Sequence, residues 1–298
     1  MYEHFPGFSW MTPYGVMMVL ACVFAWALAR QRAKQVGIDP SHVDLALPLA
    51  FIGGAFFAGA LGWFVPDELQ LAGNVFVAEG RLRLYSVAMV ALGILFAYSR
   101  ATGLPLRRLA DLVALPALAF MGIVRVGCYL AGCCFGDVSG HGDLLALIQD
   151  PRLRLQLQTL GTGSSESLPW AVQFPAGSFA YQQHQALGLL EPWATRSLPV
   201  HPVQLYETLL LALLGLALVK FRPRFRRPGD EALTVLALYA LLAFALEFLR
   251  ADNTLVLGPL TINQLICLAW LAIATVLAWF RPTQQPAPPA ARGSSRAR

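Results

Sequence analysis

The segment Gly122-Ile-Val-Arg-Val-Gly-Cys-Tyr-Leu-Ala-Gly-Cys-Cys-Phe-Gly136 places one cation, Arg125, inside a run otherwise suited to lipid. An Arg near the centre of a membrane helix costs about 2.5–3.5 kcal/mol on insertion scales, so it needs a partner or a polar cavity. On an uninterrupted helix Arg125, Gly132 and Gly136 fall at i, i+7 and i+11, within about 40° of one face. That face would carry a cation at depth and bare backbone toward one end. A phospholipid headgroup suits the pattern, because the guanidinium fork grips phosphate and glycines let a ligand come close. The other reading is an Arg ion-paired within the bundle, beside a close-packed pair of small residues. The residues alone leave both open.

A second string, His201-Pro-Val-Gln-Leu-Tyr-Glu207, enters another apolar run. Pro202 suits the first turn of a helix, so His201, Gln204, Tyr206 and Glu207 gather where that helix meets the membrane boundary. A belt of interfacial Tyr and His is the alternative, but four polar groups in so short a string exceed what anchoring needs. The third string is Glu247-Phe-Leu-Arg250, whose i, i+3 spacing permits an ion pair; a snorkelling Arg is its alternative. Tyr14 and Tyr85 begin outer helix ends, where belt aromatics belong.

Of the five cysteines, Cys22 and Cys267 lie in apolar runs as small core residues. Cys128 and Cys133 sit roughly 140° apart on a regular helix. They could share a metal only if the helix ended between them, with His141 swinging in as a further ligand. Packing is therefore the expected role of Cys128, Cys133 and Cys134, with no metal and no other cofactor. An outer-side disulfide from Cys128 to Cys133 or Cys134 is an alternative. The chain carries no nucleotide-binding loop, Ser-His-Asp order or metalloprotease string.

The elements that must position these groups follow from composition. The chain has 298 residues, 57% hydrophobic and 13% charged, against about 25% charged in a soluble domain. Its apolar runs are hydrophobic all round, which excludes a soluble helical bundle. Seven crossings are predicted, near 14–29, 44–64, 84–98, 110–135, 204–220, 231–249 and 260–280. Arg30, Arg32 and Lys34 follow the first, where a cleaved signal peptide would show small residues. Basic residues recur in Arg100/Arg107/Arg108, in Lys220 to Arg227 and in the tail, with poor stretches between. By the positive-inside rule the N-terminus lies outside and the C-terminus in the cytoplasm. The net charge of +5 is thus a membrane signal, and nucleic acid is not a partner. The expected fold is an all-α polytopic membrane protein with about seven helices. Residues 1–281 form one membrane domain, 137–200 a small outer head within it, and 282–298 a disordered cytoplasmic tail. No internal repeat supports an inverted-repeat transporter.

Arg125-x-Gly-x-x-x-x-Gly-x-x-x-Gly136 followed by His201-Pro-x-Gln-Leu-Tyr-Glu207 resembles the prolipoprotein diacylglyceryl transferase family. Tyr14-Gly15, the outer head, Glu247-Phe-x-Arg250 and Gln264 extend the resemblance over nearly the whole chain. It implies a multi-pass protein of the bacterial inner membrane. It also implies transfer of the diacylglyceryl group of phosphatidylglycerol to the lipobox cysteine of a prolipoprotein signal peptide, releasing glycerol phosphate. Arg125 then clamps phosphate, and Arg250 is a second cation oriented by Glu247. His201, Tyr206 and Glu207 are catalytic, and Tyr14, Gln204, Gly132, Gly136 and Cys128 line the lipid. The chain departs from the family pattern in four places. Cys128 stands for an Asn, Cys133 for an acidic residue, Tyr85-Ser-Val87 for an outer His-Gly-Gly string and Ala243 for an Arg. Gly127-Cys-x-x-x-Gly-Cys-Cys134 marks a Cys-rich, divergent branch. Two other readings fit the same scaffold: a membrane thiol protein using Cys128, Cys133 and Cys134 in redox or sulfur transfer, and a non-catalytic phospholipid binder.

Overall fold

The computed structural model describes residues 12–61, 75–139, 168–221, 225, 227–251, 255–257 and 260–280. The tail, His141 and much of the predicted head lie outside the described residues, and of Tyr85 only its place in a helix is described.

Local chemistry explains where the helices start and stop. Thr12 caps α1 (Pro13–Val36): its side chain accepts from Gly15 N at 3.0 Å, and Pro13 supplies a first turn that needs no donor. Gly37, at φ 72°, ends α1 in the left-handed conformation. α2 (Pro40–Leu61) and α3 (Val75–Thr102) follow, then α4 (Leu106–Ala131), the short α5 (Phe179–Ala186) and α6 (Val203–Phe221). α7 (Asp230–Leu246) runs into a single 3-10 turn, Glu247–Leu249. Strands β1 (Leu255–Leu257) and β2 (Leu260–Thr261) pair antiparallel and deliver the chain to α8 (Ile262–Trp279). Thr261 and Gln264 close a reciprocal capping box at the start of α8.

α4 is the central element. It packs against α1, α3, α6 and α7, while α2 pairs with α3 and α7 with α8. Ala29, Ala33, Val43, Leu109 and Leu112 form one buried cluster; Leu118, Leu211, Leu218 and Val235 form another. Large apolar side chains such as Val19, Phe56, Leu216 and Trp279 face outward, as they must where lipid is the solvent. Among the described residues six helices are long and apolar enough to cross a membrane, and Met89–Thr102 is a shorter apolar stretch. The protein is thus a membrane protein of several apolar helices.

Two predicted boundaries change, while the all-α architecture holds with one small hairpin of β1 and β2 added. The predicted third crossing, 84–98, lies within the longer α3. The fourth crossing, expected to reach 135, ends at Ala131 because Gly132 takes φ 70°. Gly132 N donates to Tyr129 O and Cys133 N to Cys128 O, both at 3.1 Å, the paired bonds of a Schellman stop. Beyond it the chain turns across the helix ends. Phe135, Val138, Phe174, Ala180 and Val200 close a small core there, with Tyr129 packed against it.

Candidate active site

Arg125 sits near the end of α4 with its side chain 13% exposed, and its Nε lies 2.7 Å from Glu207 Oε2 on α6. The ion-paired reading of Arg125 is therefore realised. The pairing is incomplete. Glu207 Oε1, Gln204 Oε1 and Gln264 Nε2 have no hydrogen-bond partner, although all are buried. All three belong to the residues of the predicted site or to its capping Gln. Native interiors leave few polar atoms so, and a concentration of them marks a place built for something else to bind.

The helical face through Arg125, Gly132 and Gly136 does not form, since α4 stops before the two glycines. A side chain at Gly132 would meet Ser178 Cβ at 2.9 Å; one at Gly136 would meet Val203 Cγ2 at 2.5 Å and His201 O at 2.7 Å. These glycines let protein segments cross closely. Gly127 does the same for α1: its missing Cβ faces Met17 at 3.0 Å and Tyr14 at 3.3 Å, which brings Tyr14 beside Arg125 and the cysteines.

Gln204, 1% exposed, donates from Nε2 to Cys133 O at 2.7 Å and so ties α6 to the turn after α4. His201 N donates to Asp137 O, Gly136 N donates to His201 O, and Asp137 N donates to Leu249 O. Together with the Gly136–Arg250 bridge, these bonds lace three strings distant in sequence into one patch. Tyr206 lies edge-on to His201 and its hydroxyl accepts from Trp170 Nε1 at 2.8 Å. Glu247 is buried; Asn263 Nδ2 donates to it at 2.6 Å and Thr261 Oγ1 at 3.1 Å, while Arg250 Nε lies 3.7 Å away. The predicted Glu247–Arg250 pair is thus present. Arg125 and Arg250 are both near enough to Cys134 to act on it electrostatically.

The thiols do not behave as a regular helix predicts. With the helix ended at Ala131, the Sγ atoms of Cys128, Cys133 and Cys134 lie within 4.8 Å of one another, and all three are free. The neighbouring thiols decide their order, ahead of burial: they push Cys133 up and hold Cys134 well below the usual thiol range. An apolar groove of about 460 Å³ runs outside the site, lined by Met17, Leu20, Phe24 and Ile123 among others. It opens on the lipid-facing side of α1.

The chain matches the prolipoprotein diacylglyceryl transferase family over residues 5–280. It belongs to that family. Similar proteins include the phosphatidylglycerol–prolipoprotein diacylglyceryl transferases of Clostridium tetani (23% identical, over 87% of this chain and 89% of the relative) and Geobacter sulfurreducens (24%, 91% and 90%). That of Xylella fastidiosa is 27% identical over 92% of this chain and 91% of its own. Each match spans about nine-tenths of both chains. The transferase names favour the transfer reading over the thiol-redox and pure lipid-binding readings.

Within this prolipoprotein diacylglyceryl transferase fold, sequence reasoning missed Trp170, Thr261, Asn263 and the joint placement of Cys133 and Cys134. The Thr261-x-x-Gln264 spacing is a capping-box signature and was readable. Trp170 left no such signal, because its partner Tyr206 is far along the chain.

Proposed function

We propose that this protein transfers the diacylglyceryl group of phosphatidylglycerol to the lipobox cysteine of prolipoproteins, at the outer face of the bacterial inner membrane. The observation that carries the reading is the Arg125–Glu207 pair, set among buried polar atoms without partners, on an element whose Ile123 lines a lipid-facing groove. The groove takes acyl chain, and Arg125 and Arg250 take the phosphate. In a water-poor site, cations already in place where charge develops are worth far more than in solution. The incoming sulfur forms its bond to the glycerol carbon as the carbon–oxygen bond to phosphate breaks, and glycerol phosphate leaves with that electron pair. Glu207 holds Arg125 at Nε, and Glu247 holds Arg250. His201, Tyr206 and Trp170 border the side where a signal peptide enters; Tyr14 and Gln204 line the lipid side. The N-terminus lies outside and the C-terminus in the cytoplasm, with residues 1–281 one membrane domain.

The test is complementation of a bacterial strain depleted of its own transferase, paired with labelled phosphatidylglycerol and a lipobox peptide in proteoliposomes. Rescue and a thioether-linked label are expected. Folded protein in the membrane that gives neither overturns the reading.

A further inference from the structure

Three thiols converge at the end of α4 by an identifiable route. The Schellman stop places the first residue past Gly132 against the third residue before the helix end, a contact usually made by two apolar side chains. Here those residues are Cys133 and Cys128, and Cys133 Sγ also lies 3.6 Å from Cys128 O. The next residue, Cys134, is at φ 57°, the one non-glycine residue with positive φ among those described. A left-handed β-carbon-bearing residue costs about 1 kcal/mol or more, and Gly or Asn would sit there more easily. Packing alone does not account for a cysteine at that position. The left-handed turn brings the third sulfur back onto the other two, and strain of this kind gathers at functional sites.

The geometry points to a three-thiolate site for a tetrahedral d10 metal ion such as zinc, with the fourth position taken by the lipobox thiol of the substrate. The inference rests on the transferase reading for its second half only. With zinc–sulfur bonds of about 2.3 Å, the sulfurs of a tetrahedral site stand about 3.8 Å apart. The three Sγ atoms, within 4.8 Å of one another, need move by only about 1 Å to reach it. Catalytic zinc keeps three protein ligands and one open position. Cys128 is buried, whereas Cys133 and Cys134 keep part of their surface exposed. Three thiolates and a divalent cation leave one negative charge, and Arg125 and Arg250 both face Cys134. The Gln204 bond to Cys133 O fixes the turn that carries two of the ligands.

Such a site supplies what a thiol alkylation needs. A coordinated thiol is deprotonated outright: the lipobox S–H displaces water from the metal and releases its proton to solvent. The bound sulfur then attacks the glycerol carbon, the carbon–oxygen bond to phosphate breaks, and the phosphate leaves toward Arg125 and Arg250. The thioether product is a weak ligand, so water returns.

The test uses the full chain, purified in detergent with a phosphine reductant, stripped with chelator and titrated with cobalt(II) and zinc(II). One ion per chain is expected. Cobalt should show sulfur-to-metal charge transfer and the visible bands of a tetrahedral site. C128S, C133S and C134S should each weaken binding beyond the roughly 10–100-fold that loss of an outer-shell partner costs, while C22S leaves it intact. Size-exclusion profiles identify any variant that fails to fold. For such a variant, protection of the wild-type thiols from alkylation by added zinc replaces the titration. Absence of stoichiometric binding by the reduced wild type, or binding unchanged in all three variants, overturns the site. A lipobox peptide should shift the cobalt spectrum and its serine counterpart should not; no shift overturns the open fourth position. If metal and peptide bind but no label is transferred, the transferase reading fails and the metal site stands. If transfer proceeds equally in stripped and loaded protein, the activation role is overturned.

Discussion

Arg125 is held by a carboxylate, yet it is not used up by it. A buried ion pair with all its hydrogen bonds made is a structural device; one whose carboxylate keeps a buried oxygen without a partner has capacity to spare. The consequence is testable by charge and by shape. Arg125→Ala removes both and is expected to lower kcat/KM by at least about 10²–10³, the usual loss when one donor to a developing oxyanion is removed. Arg125→Lys keeps the charge and loses the fork, so it should retain part of the rate. Glu207→Gln keeps the shape but frees the guanidinium to wander; kcat should fall more than KM rises, because the positioned cation matters most as charge builds on phosphate. Initial rates with labelled lipid in proteoliposomes separate these cases. Equal rates in Arg125→Ala and wild type would remove Arg125 from the chemistry.

Among the elements, the turn after α4 decides the site. Gly136→Ala puts a methyl within 2.5–2.7 Å of Val203 Cγ2, His201 Cβ and His201 O. It is expected to cost about 1–3 kcal/mol, seen as a lower unfolding temperature in detergent, and to push His201 away from the turn. A pH response belongs to α5. Burial holds His184 neutral and its pKa down at about 4, and Leu198 N donates to its Nδ1 at 3.2 Å, an atom that cannot accept once protonated. Folding therefore favours the neutral ring. Its contribution is complete above the unfolded value of about 6.5 and is lost as pH falls toward about 4, in all roughly 3 kcal/mol. Unfolding temperature against pH should drop across that window in the wild type and flatten in His184→Gln, which keeps an acceptor. These two cases also show what was legible in the residues. The spans, the Glu247–Arg250 pair and the grouping of His201 to Glu207 follow from periodicity and spacing. The helix end at Gly132 did not, because periodicity continues through Phe135 and only the backbone bonds of the Schellman stop reveal the break. Arg125 could be read equally as clamp or as ion pair, because its partner Glu207 lies on another helix and no local spacing encodes it.

Across the whole molecule a second buried pair offers the contrast that identifies the first. Arg32 on α1 and Glu231 on α7 meet at 2.6 Å, both buried, and Arg32 Nη2 also donates to Asp111 O at 3.0 Å. Asp111 in turn accepts from Gly229 N at 2.6 Å and Ala232 N at 2.9 Å. These bonds fasten α1, α4 and the start of α7 at the end of the bundle away from the active site. The guanidinium's other bond goes to backbone, at Asp111 O, and the pair stands outside the turn that carries the thiols, so its role is to hold the helices in register. Glu231→Ala strands a buried guanidinium and is expected to destabilise by about 3–5 kcal/mol; adding Arg32→Met should restore most of that loss, since apolar replacement of a buried pair is often neutral. Transfer rates per folded molecule should stay near wild type in the double variant. The matching exchange at the other pair, Arg125→Met with Glu207→Leu, should likewise recover stability and yet abolish transfer. Unfolding temperature and transfer rate measured on the same four proteins therefore divide the two ion pairs by purpose. If the Arg32→Met, Glu231→Ala protein lost transfer as completely as the Arg125→Met, Glu207→Leu protein, the division would be wrong and both pairs would serve only to hold the bundle together.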